Sequence, residues 1–397
     1  MIGSELRGRL DAVIDARKDE LFDLARHIHA SPELAFNEHQ ASQWIVDVCQ
    51  RHGHGAERPF GGLATALRAR AGERGPHVAV LAEYDALPEI GHACGHNLIA
   101  AGAVGAFLAL ATVANELGGS VSLVGTPAEE AGGGKIRLIE AGAFRDVDAA
   151  MMFHPFDRDL VAHPTLATSW LEMTFRGRPA HAAIAPHDGA SALTACMDTF
   201  RLVDGQRVHF RDGVRVHGFI KYGGEAVNII PERAVCQFSV RSFDLGEMAR
   251  VRSIVERCAR AAAMASDVEV TIVANQGYRN VHNNLPMAER FAAHLAELGR
   301  PAALTDPKVG TGSTDMGDVS YEVPSIHPWL AICDEGEALC HQRKFAECAV
   351  SQRGLDSMLL AAKAMARTGA ELLADAELRH EAKVQFQATV AGASRFA

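Results

Sequence analysis

The run His77-Val78-Ala79-Val80-Leu81-Ala82 leads straight into Glu83-Tyr84-Asp85-Ala86-Leu87-Pro88 and on to Gly91-His92-Ala93-Cys94-Gly95-His96-Asn97. The first six residues form a short apolar run, the pattern of a strand buried on both faces. The residues beyond Ala82 sit at the carboxyl end of that strand, where open α/β sheets place their ligands. Cys94 and His96 are two apart in a glycine-bearing loop that can turn both side chains toward one ion, and a thiolate with an imidazole suits zinc or a neighbouring transition metal. On spacing alone the commoner reading is a buried cysteine beside a helix-capping loop.

Working outward, residues 4 to 29 read as one helix, with Leu6, Leu10, Val13, Ile14, Leu21, Leu24 and Ile28 at helical spacing, stopped by Ser31-Pro32. Glu38 to Arg51 reads as a second helix and Leu63 to Ala69 as a strand. Leu98 to Leu117 reads as a small-residue helix, Ser120 to Gly125 as a strand, Lys135 to Ala141 as a helix and Ala149 to Phe153 as a strand. Strands alternating with helices predict an α/β sheet covered on both faces. From Ser169 the order becomes β-α-β-β-α-β up to Ala274, the split-βαβ order of a ferredoxin-like domain. After about residue 280 the first pattern resumes: a helix over Met287 to Leu298, an apolar strand or loop over Ser325 to Ile332, and one long final helix over Phe345 to Leu373. The expected architecture is α/β. A discontinuous, phosphorylase/hydrolase-like catalytic domain (1–167 and 280–397), with a mixed sheet flanked by helices, is interrupted by a ferredoxin-like α+β lid and dimerisation domain (168–279).

Two further strand ends carry metal-compatible groups. Thr126-Pro127-Ala128-Glu129-Glu130-Ala131-Gly132-Gly133-Gly134 comes after one strand, and its paired carboxylates can divide metal binding from proton transfer. His154 comes after another. Strand ends on one edge of a parallel sheet converge, so Cys94/His96, Glu129/Glu130 and His154 are expected at one site. Weaker signals are Gly177-Arg178-Pro179-Ala180-His181-Ala182, the Gly223 to Pro231 loop around Asn228, Gly312-Ser313-Thr314-Asp315-Met316-Gly317, and Cys340-His341. Arg176, Arg178 and Arg241 can each bind a carboxylate, and each reads equally as a surface charge.

The bulk composition narrows the partners. With 397 residues and a hydrophobic fraction of 48%, a sizeable core is available. A net charge of -10 opposes a nucleic-acid partner and offers no polybasic segment to an anionic membrane. No apolar run reaches the roughly 18 residues of a spanning helix. The N-terminus lacks a signal-peptide core, so a cytoplasmic location is expected. Eight cysteines, at 49, 94, 196, 236, 258, 333, 340 and 348, show no disulfide framework.

In this order, the segments Ala82 to Pro88 with His92 to Asn97, Gly125 to Glu130, and Gly312 to Gly317 resemble the co-catalytic metallopeptidase family of aminoacylases, glutamate carboxypeptidases and auxin-conjugate hydrolases. The match is nearest to its p-aminobenzoyl-glutamate hydrolase and β-alanyl-lysine dipeptidase branch and runs from about residue 20 to 370. Glu83-Tyr84-Asp85 stands where many relatives have Asp–x–Asp or a ligand histidine, and Asn97 where many have Asp. The resemblance implies Cys94, His96, Glu130, His154 and His341 as ligands of one or two divalent ions (Zn, Mn or Co), and Glu129 as general base. It implies that His181 reaches a partner subunit's site to stabilise the oxyanion, hence a homodimer through the inserted domain. Asn228 would contact substrate, and Arg241, Ser313 and Thr314 are the other substrate-binding candidates. The expected activity is hydrolysis of a small-molecule amide: an N-acyl amino acid, an aminobenzoyl-glutamate-like conjugate or a dipeptide. The alternatives are a deaminase using the same site and a non-catalytic binding protein on this scaffold.

Overall fold

The computed structural model describes residues 2–275 and 277–393. Among the described residues the strands are, along the chain, β1 (Ala56–Glu57), β2 (Leu67–Ala71), β3 (His77–Ala82), β4 (Ser120–Gly125), β5 (Ala149–Met151), β6 (His154–Phe156), β7 (Ala167–Arg176), β8 (Arg215–Tyr222), β9 (Arg233–Ser242), β10 (Glu269–Asn275), β11 (Ser325–Ile326) and β12 (Trp329–Ala331). The chain divides into two compact units. The larger comprises Met1–Pro164, Val281–Gly310 and Asp315–Ala391, and the smaller is built from Thr165–Asn280 with Thr311–Thr314.

In the larger unit a mixed α/β arrangement forms around a six-stranded sheet of order β1-β2-β4-β3-β5-β11. β3 is parallel to both β4 and β5, while β2 runs antiparallel to β4. Every residue of β3 and of β4 is buried, including the polar His77, Ser120 and Ser122 among the apolar ones. The helix His96–Ala111 is buried along nearly its whole length. It has no polar face because the helices Lys18–Ala30 and Gln352–Ala374 pack against it as well as the sheet. Its small residues permit that closeness: a Cβ on Gly102 would lie 2.6 Å from the Phe153 ring.

Several expected elements are divided. The helix expected over 4 to 29 is two helices, Ser4–Asp15 and Lys18–Ala30. Arg17 turns its guanidinium back onto the Val13 carbonyl (2.8 Å), and Asp19 and Glu20 open the second helix at its favourable dipole end. The long final helix is likewise broken. Arg343–Cys348 ends, the Ser351 hydroxyl accepts from Gly354 N–H (3.1 Å) to cap Gln352–Ala374, and a further helix, Ala376–Ala393, comes after it. The apolar segment 325–332 is two short strands in different sheets, β11 beside β5 and β12 beside β6. Pro328 lies between them, where a proline removes a ladder donor. The strand expected over Ala149 to Phe153 ends at Met151.

In the smaller unit the elements run β7, helix Ala192–Gln206, β8, β9, helix Leu245–Ala265, β10, and the strands form an antiparallel sheet of order β10-β7-β9-β8. Ala167, Leu171, Met173 and Phe175 of β7 and Ala234, Cys236, Phe238 and Val240 of β9 face the buried core of this unit. The alternate residues, among them Thr168, Ser239 and Arg241, therefore lie on the opposite face.

Candidate metal centre

β4, β3 and β5 are neighbours in the sheet, and the chain beyond each delivers one part of the site. After β3 comes Asp85, then the turn through Cys94, Gly95 and His96. Gly95 has φ +76, and a Cβ there would lie 2.8 Å from Pro155, so this position needs glycine on both counts. The left-handed residue reverses the chain between the two side chains and starts the His96–Ala111 helix.

His96 is fully buried. Its Nδ1 faces the Asp85 carbonyl (2.9 Å) and Asp85 Oδ1 (3.0 Å). A proton on Nδ1 fixes the tautomer and leaves the Nε2 lone pair for another partner, the orientation that a carboxylate imposes on metal-binding histidines. Among the described residues Nε2 has no hydrogen-bond partner and looks instead at Glu83 Oε2 (3.4 Å), Glu129 Oε2 (3.9 Å) and Glu130 Oε1 (4.0 Å). Burial opposes charge on this ring, but Asp85 and Glu83 outweigh it and hold the imidazole well above its ordinary range. A lone pair ringed by carboxylate oxygens needs a cation among them, a proton or a metal ion.

Among the described residues several sets of donor atoms meet here, and two of them contain Cys94. Those of Cys94, His96 and His154 lie within 4.8 Å of one another, as do those of Cys94, Glu130 and His341, so the Cys94 sulfur is common to both. Cys94 Sγ is 3.5 Å from His154 Nε2, while His154 Nδ1 donates to the Pro155 carbonyl (2.7 Å). Burial lowers the His154 imidazole to about 4, so the ring is a neutral donor. His341 Nε2 stands 3.3 Å from Glu130 Oε2, and the His341 amide donates to the Ala93 carbonyl (2.8 Å), tying its loop to the Cys94 turn. The Cys340 thiol beside Cys94, together with burial, pushes the Cys94 thiol well up, and a coordinated cation is what would deprotonate it. The buried oxygens Glu83 Oε2 and Glu130 Oε1 also lack hydrogen-bond partners. Orphaned nitrogen and oxygen atoms converging with a thiol and two imidazoles fit divalent metal ions of the zinc type.

Glu129 is almost wholly buried, and burial, then Glu83 and Glu130, push its carboxyl well above the ordinary range. Such a group readily takes up a proton. Behind it the fully buried Lys135 ammonium is bonded to Glu83 and to Asp315 Oδ1 (2.6 Å). Burial works against that charge, but Asp315 and Glu83 keep it firmly protonated.

The larger unit thus brings Cys94, His96, Glu129, Glu130, His154 and His341 together. In the smaller unit His181 and Asn228 are both exposed and adjacent: the Ala182 amide donates to the Asn228 carbonyl (3.0 Å), and His181 bridges Ile229. Arg241 is half-buried and pairs in register with Thr168, and among the described residues its Nε has no partner; neither have the hydroxyls of Thr168, Ser239 and Ser313. Thr314 is buried in the same unit. Arg178 is a surface charge, bonded to Asp267 at 2.8 Å.

Sequence reasoning passed over several participants. Asp85 lay inside the decisive stretch, but nothing local shows that it orients His96. Lys135 reads as an ordinary first-turn lysine, and only the fold reveals its burial. His327, whose ring is 5.4 Å from that of His154, had a usable signal in its place directly after a short apolar strand.

Comparison with known proteins agrees with this geometry. The model of a family described as Peptidase family M20/M25/M40 matches residues 79–370. The chain is 36% identical over 402 residues to an Xaa-Arg dipeptidase of Mus musculus, covering 96% of this chain and 92% of that protein. It is 26% identical over 467 residues to a p-aminobenzoyl-glutamate hydrolase chain of Escherichia coli (strain K12), covering 95% and 94%. Among solved structures, a dinuclear metal binding peptidase of Bacillus subtilis superposes with a TM-score of 0.70 at 21% identity, over 90% of this chain and 99% of that one.

Proposed function

The chain belongs to the peptidase family M20/M25/M40 and is a metal-dependent amidohydrolase, and we propose that it cleaves linear amides whose leaving amine belongs to an amino acid with a free carboxylate. The observation that carries this reading is the pair of donor triads sharing Cys94 beside the buried Glu129, whose carboxyl burial pushes well above its ordinary range. Cys94, His96 and His154 would hold one ion, and Cys94, Glu130 and His341 a second. Bound there, divalent ions would lower the pKa of a water toward neutrality and polarise the amide carbonyl.

Glu129 would take the attacking water's proton and return it to the departing amine nitrogen. Asp85 would keep the His96 ring turned toward the ion, and Lys135 would hold the Glu83 and Asp315 carboxylates in place behind the site. On the smaller unit, Arg241 is the group we assign to the substrate carboxylate. It is half-buried with no carboxylate partner among the described residues, and unpartnered Thr168 and Ser239 hydroxyls share its sheet face. An Xaa-Arg dipeptide and a p-aminobenzoyl-glutamate conjugate both carry a carboxylate next to the scissile amide, and the two relatives bear those names.

We read the smaller unit as a ferredoxin-like lid and dimerisation domain. Its β-α-β-β-α-β order and strand order support this, and the exposed Phe219 and Ile220 on the edge strand β8 suit a second copy. His181, exposed and beside Asn228, would serve the oxyanion of a partner's site. Eight free cysteines support a reducing, cytoplasmic setting.

Glu129→Gln, with metal content measured, is the direct test. We expect about a 10³-fold loss of kcat with metal retained. Parental activity in the metal-bound variant removes Glu129 as the base, and release of ammonia without a free amino acid replaces amide hydrolysis with deamination.

A further inference from the structure

Glu38 is fully buried, immediately before the helix His39–Arg51, yet its side chain does not cap that helix. Glu33 serves that helix end instead, accepting from the amides of Gln40 (2.9 Å) and Ala41 (3.0 Å). Glu38 is thereby free to reach across the fold. Its Oε1 accepts from the Phe36 amide (2.9 Å) and from the Ala128 amide (2.9 Å), and its Oε2 accepts from the Thr65 hydroxyl (2.8 Å).

Both amides belong to residues in the left-handed region, Phe36 at φ 63 and Ala128 at φ 62. Residues with a Cβ hold that conformation only where their surroundings over-determine it. Ala128 directly precedes Glu129 and Glu130. On the far side of Glu129, the Glu130 amide donates to Asp85 Oδ2 (2.9 Å). The Pro127–Ala128 peptide, one residue before Glu129, and the Glu129–Glu130 peptide after it are therefore each held by a buried carboxylate, Glu38 on one side and Asp85 of the metal centre on the other. Phe36 adds a second hold, because its ring lies so close over Gly132 that a Cβ there would be 2.4 Å away.

We propose that Glu38 is a positioning residue for hydrolysis: by accepting the Phe36 and Ala128 amides on one oxygen, it keeps Ala128 left-handed and so aims Glu129 and Glu130 at their targets. The claim rests on the roles of Glu129 and Glu130 under the proposed function. The decisive property is a hydrogen-bond acceptor at Oε1, with charge secondary. Burial already pushes the Glu38 acid up to about 7, so a neutral acceptor of the same shape should serve nearly as well.

The test compares variants of the metal-saturated protein by kcat, KM, metal content and circular dichroism. Glu38→Met keeps the volume and removes the acceptor. It should lower kcat about 100-fold with KM changed less than about threefold, the size of effect that an ångström of misplacement produces. Glu38→Gln should recover kcat to within about fivefold of the parent, because its carbonyl oxygen can accept both amides. Thr65→Ala, which leaves the Oε1 bonds alone, should stay within about threefold on the same argument. Should Glu38→Met fail to fold, Glu38→Asp takes its place: it withdraws the acceptor by one methylene and should lose about tenfold in kcat relative to Glu38→Gln. A folded Glu38→Met or Glu38→Asp protein with parental kcat overturns the proposal, as does a Glu38→Gln protein as damaged as Glu38→Met. Full activity in Glu129→Gln would instead strike the base assignment, so the two failures are told apart.

Discussion

Asp85 in the larger unit and Arg241 in the smaller are both charged side chains withdrawn from water, and the fold treats them oppositely. Asp85 is completely surrounded: one oxygen faces His96 Nδ1 (3.0 Å) and the other accepts from the Glu130 amide (2.9 Å). Burial alone would raise its acid, but His96 outweighs burial and holds the carboxyl below the usual range. Among the described residues Arg241 has no partner for its buried Nε, and burial alone acts on it, lowering its pKa. The contrast separates two tasks. A group that orients other protein atoms is fully bonded before anything binds. Under the proposed function, Arg241 is left short of a bond that the substrate carboxylate would complete.

The largest effect that would break this contrast lies at Asp85. Asp85→Ala frees the His96 ring and releases the Glu130 amide together. Metal affinity should fall about 10- to 100-fold, read by titration against a chelator; unchanged affinity would mean that Asp85 orients nothing. Arg241→Ala should act on the other side of the contrast, raising KM for a carboxylate-bearing dipeptide about tenfold or more while metal content stays parental. If KM is unchanged and metal is lost, Arg241 is structural and the comparison fails.

Stability against pH supplies a smaller effect. Glu38 has its folded pKa raised to about 7 from 4.5. Between those values the folded state binds more protons at this site than the unfolded state does, so its contribution to stability is present at low pH and lost as pH rises through about 7. Chemical denaturation of Glu38→Gln should therefore lack this fall between about pH 4.5 and 7 relative to the parent. Parallel stability curves would contradict the assignment. Smallest of all is Arg178→Ala, which breaks an exposed ion pair with Asp267. It should change stability by no more than about 1 kcal/mol and leave KM alone.

How much was legible beforehand tracks the same division. Val78 to Ala82 of β3 is a continuous apolar run and β4 carries Val121, Leu123 and Val124, and the groups at the ends of both strands could be read because glycine-marked loops come after them. The donors Cys94, His96, Glu129, Glu130 and His154 were all expected there. Breaks in helices were not legible. Arg17 and Ser351 interrupt patterns whose apolar spacing continues through the break, and only side-chain bonds to local backbone groups reveal the stop. Long-range partners were equally hidden. Lys135 bonded to Asp315, and Glu38 bonded to Ala128 ninety residues away, carry no local spacing signal.

The central claim is that one sulfur joins two ion sites, and metal counting tests it most directly. Elemental analysis of the purified protein saturated with Zn²⁺ or Mn²⁺ and then desalted should give two ions per chain for the parent. Cys94→Ala should lose both ions together while the protein stays folded, because the two donor triads share no other atom. A Cys94→Ala protein that keeps two ions would contradict the account.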